Sequence, residues 1–431
     1  MAENNINVAI AGLGTVGTGF FKILSGKSEI LSKRTDCEIN IFAASARNKN
    51  KDRGINLDSV KWYDNPLGFA EDDNIDVVIE LIGGDEGVAR DLVEQSLKNG
   101  KHVVTANKAL IAKHGFELAK IAEENNLQLL FDAAVAGGVP IIKNLKESLV
   151  ANNISKISGI LNGTCNFIIS KMSDDGRSFE DVLKEAQDKG YAEADPTFDV
   201  DGIDAAHKLT IISAIAFGIV PDFEKSYIEG IRNLRLSDIK FAEKLGYNIK
   251  LLAICNVTDD GKIEQRVHPV LIDCEKHELA NVKDALGGLK LECDELGPFV
   301  MTGAGAGMSE TASSVVGDVA DVAAGRKSFP FGASVSNLKV ASFKDITEHK
   351  CEYYLNFTVK DEDGVLSSIT SILSKNGVGF EKVNQEPMEE GNSNLVIITH
   401  DSIESNIISA LKEVSAQIYS TKEPVKIRIE K

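Results

Sequence analysis

Short apolar segments alternate with amphipathic helical segments along the first part of the chain. The apolar runs predict five strands, at Asn7–Ala11, Glu38–Ala44, Asp76–Ile82, His102–Thr105 and Gln128–Phe131. Apolar residues at helical spacing lie between them, for example over Val88–Leu97 and Ile111–Glu124. Strands and helices that alternate in this way predict an α/β fold, with a doubly wound parallel sheet of the Rossmann type over residues 1–134.

The pattern changes after Pro140. Helical spacing over Ile141–Val150 is followed by strand-like segments at Ile157–Leu161, Lys250–Asn256 and Ile263–Leu271. A helix rich in small residues is predicted at Ser309–Ala324. This part of the chain is therefore predicted to form a second, α+β domain on a mixed sheet.

A third pattern covers residues 349–431. Apolar residues alternate over Tyr353–Val359 and Val425–Ile429, as in half-buried strands. Between these strands we predict a helix (Leu366, Ile369, Leu373), two strands (Phe380–Gln385, Leu395–Thr399) and a second helix (Ile403, Ile407, Leu411). The order βαββαβ predicts a compact α+β unit that follows a linker at residues 326–348.

Composition and charge limit the classes of function. The net charge of −18 over 431 residues argues against nucleic-acid binding. The six cysteines have no Cys-x-x-Cys spacing, which argues against a zinc site or a disulfide framework and fits a reducing compartment. The longest apolar stretch, Leu209–Val220, is too short to span a membrane, and the polar N-terminus does not resemble a signal peptide. We expect a cytoplasmic protein.

A glycine-rich loop follows the first strand and precedes a helix. Gly12 permits a tight turn, Gly14 allows close approach of the backbone to a pyrophosphate, and Gly17 allows close packing of helix on strand. The free N–H groups at the start of the helix favour an anion. Residues 1–134 are therefore predicted to bind a dinucleotide through the loop residues Gly12, Leu13, Gly14, Thr15, Val16 and Gly17.

The end of the second strand bears on which dinucleotide is bound. A site for NAD usually has an acidic residue there, which holds the ribose hydroxyls. This chain has Ala44–Ser45–Ala46–Arg47 instead. Ser45 and Arg47 would accept a 2′-phosphate, which favours NADP(H) over NAD(H).

The segment Gly190–Leu209 contains two glycines, seven ionisable side chains and the start of an apolar helix. Asp204 and Lys208 are four residues apart and would lie on one helix face. Glu193 lies on the loop before the helix. Two carboxylates and an ammonium group can bind an amino acid and move a proton, although an isolated segment of this kind also fits a solvated helix start.

Four further motifs bear on the chemistry. Thr105–Lys108 follows a strand, so Lys108 is expected at the ligand-binding edge of the sheet or simply at the surface. The turn Ala136–Pro140 and Asp132 offer oxygen atoms to a monovalent cation. Asn162–Asn166 contains Cys165, which is a candidate nucleophile or a small buried residue. Gly303–Gly307 either touches the cofactor or forms a tight backbone crossing.

Together these motifs resemble homoserine dehydrogenase over roughly residues 5–325. The most specific parts are Gly159–Ile168 and Gly190–Lys208. The C-terminal unit, with Asp361–Leu366, resembles an ACT domain, which senses amino acids in several biosynthetic enzymes. The resemblance implies the reversible, NAD(P)H-dependent reduction of L-aspartate 4-semialdehyde to L-homoserine. It also implies a catalytic and dimerisation domain at 135–308, and a helix near 309–325 that returns to the first domain.

Roles for individual residues follow from the resemblance. Lys208 and Lys108 match catalytic lysines, and Asp204, Glu193 and Gly190 match positions that bind substrate. Gly190, Gly305, Thr105 and Lys108 match positions near the cofactor. A sodium-binding loop is matched by Asp132, Val135, Gly137 and Val139, with Asp132 where relatives often have Glu. A homodimer or homotetramer is expected, and we predict feedback by L-threonine at the ACT-like unit, residues 349–431.

Two other functions remain open from the residues. An acylating semialdehyde dehydrogenase would use Cys165 as its nucleophile and would need a nearby histidine base. A non-catalytic amino-acid sensor would bind the cofactor without turnover, and the presence of Lys108, Glu193, Asp204 and Lys208 argues against it.

Overall fold

The computed structural model describes residues 4–388 and 391–431. The first domain has the strands β1 (Asn4–Ala11), β2 (Cys37–Ser45), β3 (Lys61–Trp62), β4 (Val77–Glu80), β5 (His102–Thr105) and β6 (Leu129–Leu130). Its helices are α1 (Thr15–Gly26), α2 (Ser28–Thr35), α3 (Val88–Lys98) and α4 (Lys108–Glu124). The predicted strands are all present. The pattern analysis missed α2. It also missed β3, because a two-residue strand has no periodicity to detect.

The six strands form one parallel sheet in the order β3-β2-β1-β4-β5-β6. The order of the strands runs outward in one direction from β1 and in the other from β4. Ligands bind at this switch point in doubly wound folds. The carboxyl ends of β1, β4 and β5 therefore face one crevice. This edge carries the glycine loop after β1 and Lys108 after β5.

The second domain contains most of the remaining elements. Its helices are α5 (Ile141–Lys143), α6 (Gly163–Asp175), α7 (Phe179–Asp188), α8 (Thr197–Val200), α9 (Ile203–Phe217) and α10 (Leu236–Lys244). Its strands are β7 (Ile154–Ile160), β8 (Tyr227–Ile228), β9 (Tyr247–Val257), β10 (Ile263–Asp273), β11 (Leu286–Cys293) and β12 (Gly297–Ala304). The predicted helix over Ile141–Val150 is short, since α5 continues into a π-helical turn at Asn144–Ser148.

Helix α11 (Met308–Ala323) packs on the first domain, as the resemblance implies. Its apolar face, with Ala312, Val315 and Val319, shares a core with Val8 and Ile10 of β1. A Cβ atom on Gly19 of α1 would lie only 2.8 Å from Met308, so only glycine permits this close helix contact.

The C-terminal unit has the predicted order of elements with one addition, the two-residue strand β16 (Ser402–Ile403). It consists of β13 (Lys350–Lys360), α12 (Val365–Lys375), β14 (Phe380–Pro387), β15 (Asn392–Thr399), β16 (Ser402–Ile403), α13 (Glu404–Ser415) and β17 (Val425–Glu430). Its sheet does not stand alone, because β17 pairs in parallel with β10 of the second domain. The two sheets are thus one mixed sheet, with the path β12-β11-β7-β9-β10-β17-β13-β15-β14.

Both faces of the C-terminal strands are covered. Apolar residues of α12 and α13, such as Ile369 and Ile407, cover one face. On the other face the Tyr354 hydroxyl and the Asn356 amide donate to Asp238 of α10, over 3.0 and 2.6 Å. The C-terminal unit is therefore held firmly against the second domain.

Residues 326–348 connect all three parts of the fold. Phe331 is buried against Phe131 of the first domain, with ring centroids 5.6 Å apart. The Lys339 N–H donates to the Gly218 carbonyl of the second domain. The Lys344 N–H donates to the Ile263 carbonyl over 2.9 Å. No helix among the described residues is long and apolar enough to cross a membrane.

Candidate active site

One buried carboxylate joins two lysines at the boundary between the first two domains. Asp204 Oδ2 accepts a hydrogen bond from Lys208 Nζ over 2.8 Å. Asp204 Oδ1 lies 2.9 Å from Lys108 Nζ. Asp204 and Lys208 belong to α9, whereas Lys108 is the first residue of α4 in the nucleotide-binding domain. The structure therefore brings together three residues that the sequence predicted separately.

The start of α9 explains the position of Asp204. Gly202 precedes the helix with φ +84°, a conformation that suits glycine. Asp204 lies in the first turn, where the helix dipole stabilises a negative charge. Lys208 follows one turn later on the same face, as its spacing predicted. Asp204 is 3% exposed and Lys208 is 8% exposed, so both charged groups are buried.

The turn after β7 supplies two partners, Leu161, which the sequence analysis did not single out, and Asn162, which it named only as part of the motif Asn162–Asn166. The Leu161 carbonyl accepts from Lys208 Nζ over 2.7 Å. Asn162 caps α6 through Oδ1, which accepts the Cys165 N–H, and its amide donates to both Asp199 and Asp204 over 2.8 Å. An asparagine that directly follows a strand and begins a helix was the available signal. Its two carboxylate partners were not readable from local pattern.

The buried charges alter the pKa values of Asp204, Lys108 and Asp199. Burial by itself raises the pKa of Asp204, but the ammonium groups of Lys208 and Lys108 outweigh it and hold this pKa below its ordinary range. The Asp204 charge in turn raises the pKa of Lys108. Burial and the nearby Asp204 raise the pKa of Asp199. The site therefore contains an ionised Asp204 that keeps Lys108 protonated.

A buried network places Lys108. Glu80, fully buried at the end of β4, accepts from the Thr105 hydroxyl over 2.6 Å and from two backbone N–H groups, those of Ile82 and Gly83. Asn107 caps α4 through its Oδ1 and donates to the Gly84 carbonyl over 2.6 Å. Thr105 thus acts on the loop that follows β4. Sequence analysis had placed Glu80 in a strand without assigning it a role.

Glu193 lies on an exposed loop beside the cluster. The Gln187 amide donates to the carbonyls of Glu193 and Ala194, which fixes this loop to α7. Gly190 begins the loop with φ +74°. The Glu193 carboxylate is near enough to Lys108 to contribute to its raised pKa. Both oxygens of Asp204 are occupied by lysines and Asn162, so Glu193 is the carboxylate open to a substrate ammonium group.

The glycine loop fits a dinucleotide. A Cβ atom on Gly17 would lie 2.0 Å from the Gly12 carbonyl oxygen, so the loop closes tightly on itself. Gly14, by contrast, has no atom within 4 Å of its Cβ position and caps α1 without any side chain. The free N–H groups of Thr15 and Val16 at this helix start can meet a pyrophosphate, and Leu13 lies buried beneath them.

Basic residues border the loop after β2. The Ser45 carbonyl accepts the Gly12 N–H over 2.9 Å and Ser45 is nearly buried, whereas Arg47 is exposed. Arg53, which the sequence analysis did not select, donates from Nε to the Leu13 carbonyl over 3.0 Å. Of the two predicted phosphate ligands, Arg47 is therefore the one that is available from solvent.

The turn Gly303–Gly307 forms a backbone crossing. The Gly138 N–H donates to the Ala304 carbonyl over 3.0 Å, and a Cβ atom on Gly303 would lie 2.9 Å from Val139. Gly305 has open space at its Cβ position. The turn leads directly into α11, so it lies between the helix that packs on α1 and the turn that joins the two domains.

Cys165 does not have the environment of a nucleophile. The residue is fully buried, and its thiol donates to the Asp199 carbonyl over 3.2 Å. Burial, and next the charge of Asp199, raise the pKa of this thiol well above its ordinary value. A thiolate is the reactive form of cysteine, so this site disfavours the acylating alternative.

Asp132 lies in a buried cluster of charges instead of an open cation site. Its N–H donates to Asp318 over 2.9 Å, and its carboxylate accepts the N–H of Lys143. Lys143 Nζ lies 3.4 Å from Asp318, and the charge of Lys146 is also close. Burial, and next Asp132, raise the pKa of Asp318 to about 7. No cluster of three metal-binding side chains occurs within residues 4–388 and 391–431.

The backbone oxygens of the neighbouring turn are partly engaged. The Gly137 carbonyl accepts from the Ser314 hydroxyl over 2.5 Å, and the Val139 carbonyl accepts from the Ile141 N–H over 2.8 Å. Ala136 has φ +51°, so the chain reverses sharply between Val135 and Gly137. Burial raises the pKa of Asp132 despite the nearby charge of Lys143, which disfavours the ionised carboxylate that a sodium ion would need.

Two family models match this chain. The model described as homoserine dehydrogenase matches residues 140–320, and the model described as homoserine dehydrogenase, NAD binding domain, matches residues 12–132. A homoserine dehydrogenase of Pseudomonas aeruginosa is 43% identical, over 99% of this chain and 99% of its own length.

Solved structures agree with these matches. A homoserine dehydrogenase from Thiobacillus denitrificans superposes with a TM-score of 0.92 at 42% identity, covering 99% of this chain and 98% of its own. A hyperthermophilic archaeal homoserine dehydrogenase in complex with NADPH has a TM-score of 0.64 at 28% identity, and covers 75% of this chain and 99% of its own.

Proposed function

The chain belongs to the homoserine dehydrogenase family, and from that premise we propose which of its residues perform the chemistry of this NAD(P)-dependent oxidoreductase. The observation that carries the proposal is the Asp204 carboxylate, which links Lys208 of one domain to Lys108 of the other. The reaction is the reversible reduction of L-aspartate 4-semialdehyde to L-homoserine. The non-catalytic sensor is excluded by the family.

The nucleotide-binding loop of residues 12–17 would hold the pyrophosphate, and the bound dihydronicotinamide supplies the hydride. As the aldehyde carbon accepts the hydride, its oxygen gains negative charge. Lys208 Nζ has three N–H groups, of which two are used by Leu161 and Asp204. The third is free to donate to the substrate oxygen, so we assign proton donation to Lys208.

Lys108 supplies the second positive charge. Its side chain is 32% exposed, compared with 10% for Lys208, so it lies closer to the open side of the cleft. It would stabilise the developing oxyanion and allow solvent to restore the proton that Lys208 gives up. Asp204 stays ionised throughout and holds both ammonium groups in place. In the direction of oxidation, Lys208 would first lose a proton to solvent, and its neutral amine would then accept the proton of the substrate hydroxyl.

Glu193 and the loop that begins at Gly190 would receive the amino-acid end of the substrate. The support is the open carboxylate of Glu193 and the occupied oxygens of Asp204. The test of the whole assignment is steady-state reduction of L-aspartate 4-semialdehyde by the full chain, followed through the loss of NADPH absorbance. The proton donor is the lysine whose replacement abolishes turnover.

We propose that the cofactor is NADP(H) in preference to NAD(H). A relative from an archaeon is solved with NADPH, and Arg47 here is exposed after β2 where a 2′-phosphate would lie. Replacing Arg47 with alanine is expected to lower kcat/KM for NADPH roughly 10- to 100-fold, because a charge-assisted contact is lost. The kcat/KM for NADH should stay within about twofold. Equal losses with both cofactors would contradict the proposal.

The predicted sodium ion is retained as a proposal for the backbone alone. The carbonyl oxygens of Val135, Gly137 and Val139 would be its remaining ligands, because burial raises the pKa of the Asp132 carboxyl group and disfavours its charged form. No hydride or proton step passes through this ion. Its role would be limited to holding the turn that joins the two domains.

We propose that L-threonine binds at the start of α12 in the C-terminal unit. A cavity of about 390 Å³ lies there, lined by residues of the 361–366 loop together with Gln385 and Leu395. The carboxylates of Asp361 and Asp363 suit an ammonium group, and the helix start suits a carboxylate. Gln385 already donates to Asp361 over 3.2 Å, which orients that side chain.

Replacing Asp361 with alanine is expected to raise the L-threonine concentration for half-inhibition about tenfold, as one charge-assisted contact is lost. The uninhibited rate should not change. Asp401→Ala, an exposed carboxylate elsewhere in the unit, serves as the control. A point variant is the appropriate test because deletion of the unit would unpair β10 from β17. A full chain that L-threonine does not inhibit would refute the proposal.

We also propose a homodimer or homotetramer. The outer strand β12 carries an exposed Val300, 38% accessible, and the turn before it exposes Leu296. An apolar edge of this kind favours pairing with a second copy.

A further inference from the structure

Three aromatic rings stack beside the candidate catalytic lysines. The imidazole of His207 lies between Phe198 and Phe223. Its ring centroid is 5.4 Å from that of Phe198 and 4.2 Å from that of Phe223, with interplanar angles of 25° and 14°. His207 directly precedes Lys208 in α9, Phe198 is in α8, and Phe223 begins the short turn at Phe223–Lys225.

Each outer ring carries a lysine from the nucleotide-binding domain. Lys108 Nζ lies 5.5 Å from the centroid of Phe198, and Lys113 Nζ lies 5.7 Å from that of Phe223. Both lysines belong to α4, and Lys113 is fixed to Asp85 of the same domain over 2.6 Å. The two outer rings of the stack therefore each lie beside one ammonium group of the first domain.

His207 acts in this stack through its ring faces. The residue is 3% exposed, and neither ring nitrogen has a hydrogen-bond partner among the described residues. Burial, and next the charge of Lys113, lower the pKa of His207 to about 4. The ring is therefore neutral near pH 7, and it adds no positive charge between Lys108 and Lys113.

Lys108 needs such support. Among residues 4–388 and 391–431, its ammonium group forms an ion pair with Asp204 alone, and its side chain is still 32% exposed. A ring face next to the ammonium group restricts its position and is attracted to its charge. Displacement of a catalytic group by about 1 Å is enough to lower a rate 100-fold.

We propose that His207 is a positioning residue for Lys108. Its neutral ring, supported by Phe223, holds Phe198 against the Lys108 ammonium group and so fixes Lys108 at Asp204 when the two domains meet. This inference rests on the role of Lys108 given under the proposed function.

The first test compares two substitutions at this position. His207→Leu removes the flat ring at similar volume, and His207→Phe keeps it without any nitrogen. We expect kcat to fall roughly tenfold or more in the leucine variant, with KM for NADPH and the thermal midpoint little changed. The phenylalanine variant should restore kcat to within about threefold. Equal kcat in the two variants, or losses that follow the thermal midpoint, would overturn the proposal.

The second test asks whether the effect passes through Lys108. In a Lys108→Met background, His207→Leu should lower kcat no further, because the group that it positions is absent. The same factor of loss in both backgrounds would overturn the inference. If Lys108→Met itself leaves kcat unchanged, the catalytic role proposed for Lys108 is refuted. That result differs from one that refutes only the positioning role of His207. Should His207→Leu not fold, Phe198→Leu at a 38% exposed position repeats the measurement.

Discussion

Replacing Lys208 with alanine is expected to lower kcat for the reduction of L-aspartate 4-semialdehyde about 1000-fold, with little change in NADPH binding. Lys208 is the proposed proton donor, and general acid catalysis contributes roughly 10²- to 10⁴-fold to a rate. In that role its ammonium group would also stabilise charge on the substrate oxygen, and such contacts are strong in a largely buried cleft. The loss should therefore appear in kcat, because the interaction strengthens as hydride transfer proceeds.

The measurement is the rate of NADPH oxidation by the native chain and the variant at the same protein concentration. Lys171→Ala is the matched control, because Lys171 lies on neighbouring α6, 3.6 Å from Asp284, and outside the site. The control should retain the native rate within about twofold. If Lys208→Ala keeps more than a tenth of native kcat, proton donation belongs to Lys108 or to water. NADPH titration of both proteins separates this outcome from a loss of cofactor binding.

Replacing Asp204 with asparagine is expected to affect rate and stability together. We expect kcat/KM to fall roughly 100-fold, since the two lysines lose the group that orients them. Removing one partner of a buried ion pair costs about 3 to 5 kcal/mol of folding free energy, because the remaining charges are left uncompensated. Here two ammonium groups are left, and an asparagine amide would also oppose the donor of Asn162.

Urea unfolding and steady-state kinetics check this prediction. Asp201→Asn is the control, because Asp201 pairs only at the surface with Arg232 and should contribute less than about 1 kcal/mol. The pKa of Asp204 is lowered by folding, so its contribution is present above the unfolded-state pKa near 3.9 and is lost as the pH falls below it. The stability difference between native chain and variant should shrink accordingly. A variant as stable and active as the native chain would refute the role of Asp204.

Several elements of this fold were predictable because their signals are local. A strand, a glycine loop and a helix follow one another within 26 residues, so the nucleotide-binding unit is visible without tertiary information. The spacing of Asp204 and Lys208 determines that they share a helix face, and the structure confirms that contact. The order βαββαβ of the C-terminal unit follows from alternation and helical spacing alone.

Other features depend on which surfaces meet. Periodicity indicates that one face of β17 is buried, but not that its edge pairs with β10 and extends a sheet of the preceding domain. The same limit applies to Asp132, which is buried near the charge of Lys143 and whose backbone N–H donates to Asp318 far along the chain. The roles of Asn162 and Glu80 depend on hydrogen-bond partners that lie in distant segments of the chain.

The sequence by itself determined the folding patterns of the three parts of the chain, the cofactor loop and the presence of two candidate lysines, because these depend on neighbours within a few residues. Only the tertiary structure decided that Lys108 and Lys208 share one carboxylate, that Cys165 is fully buried, and that three stacked rings of the second domain lie beside two lysines of α4. The physical reason is that burial and Coulomb interactions act through space. Their strength is determined by distances and desolvation that local spacing does not specify.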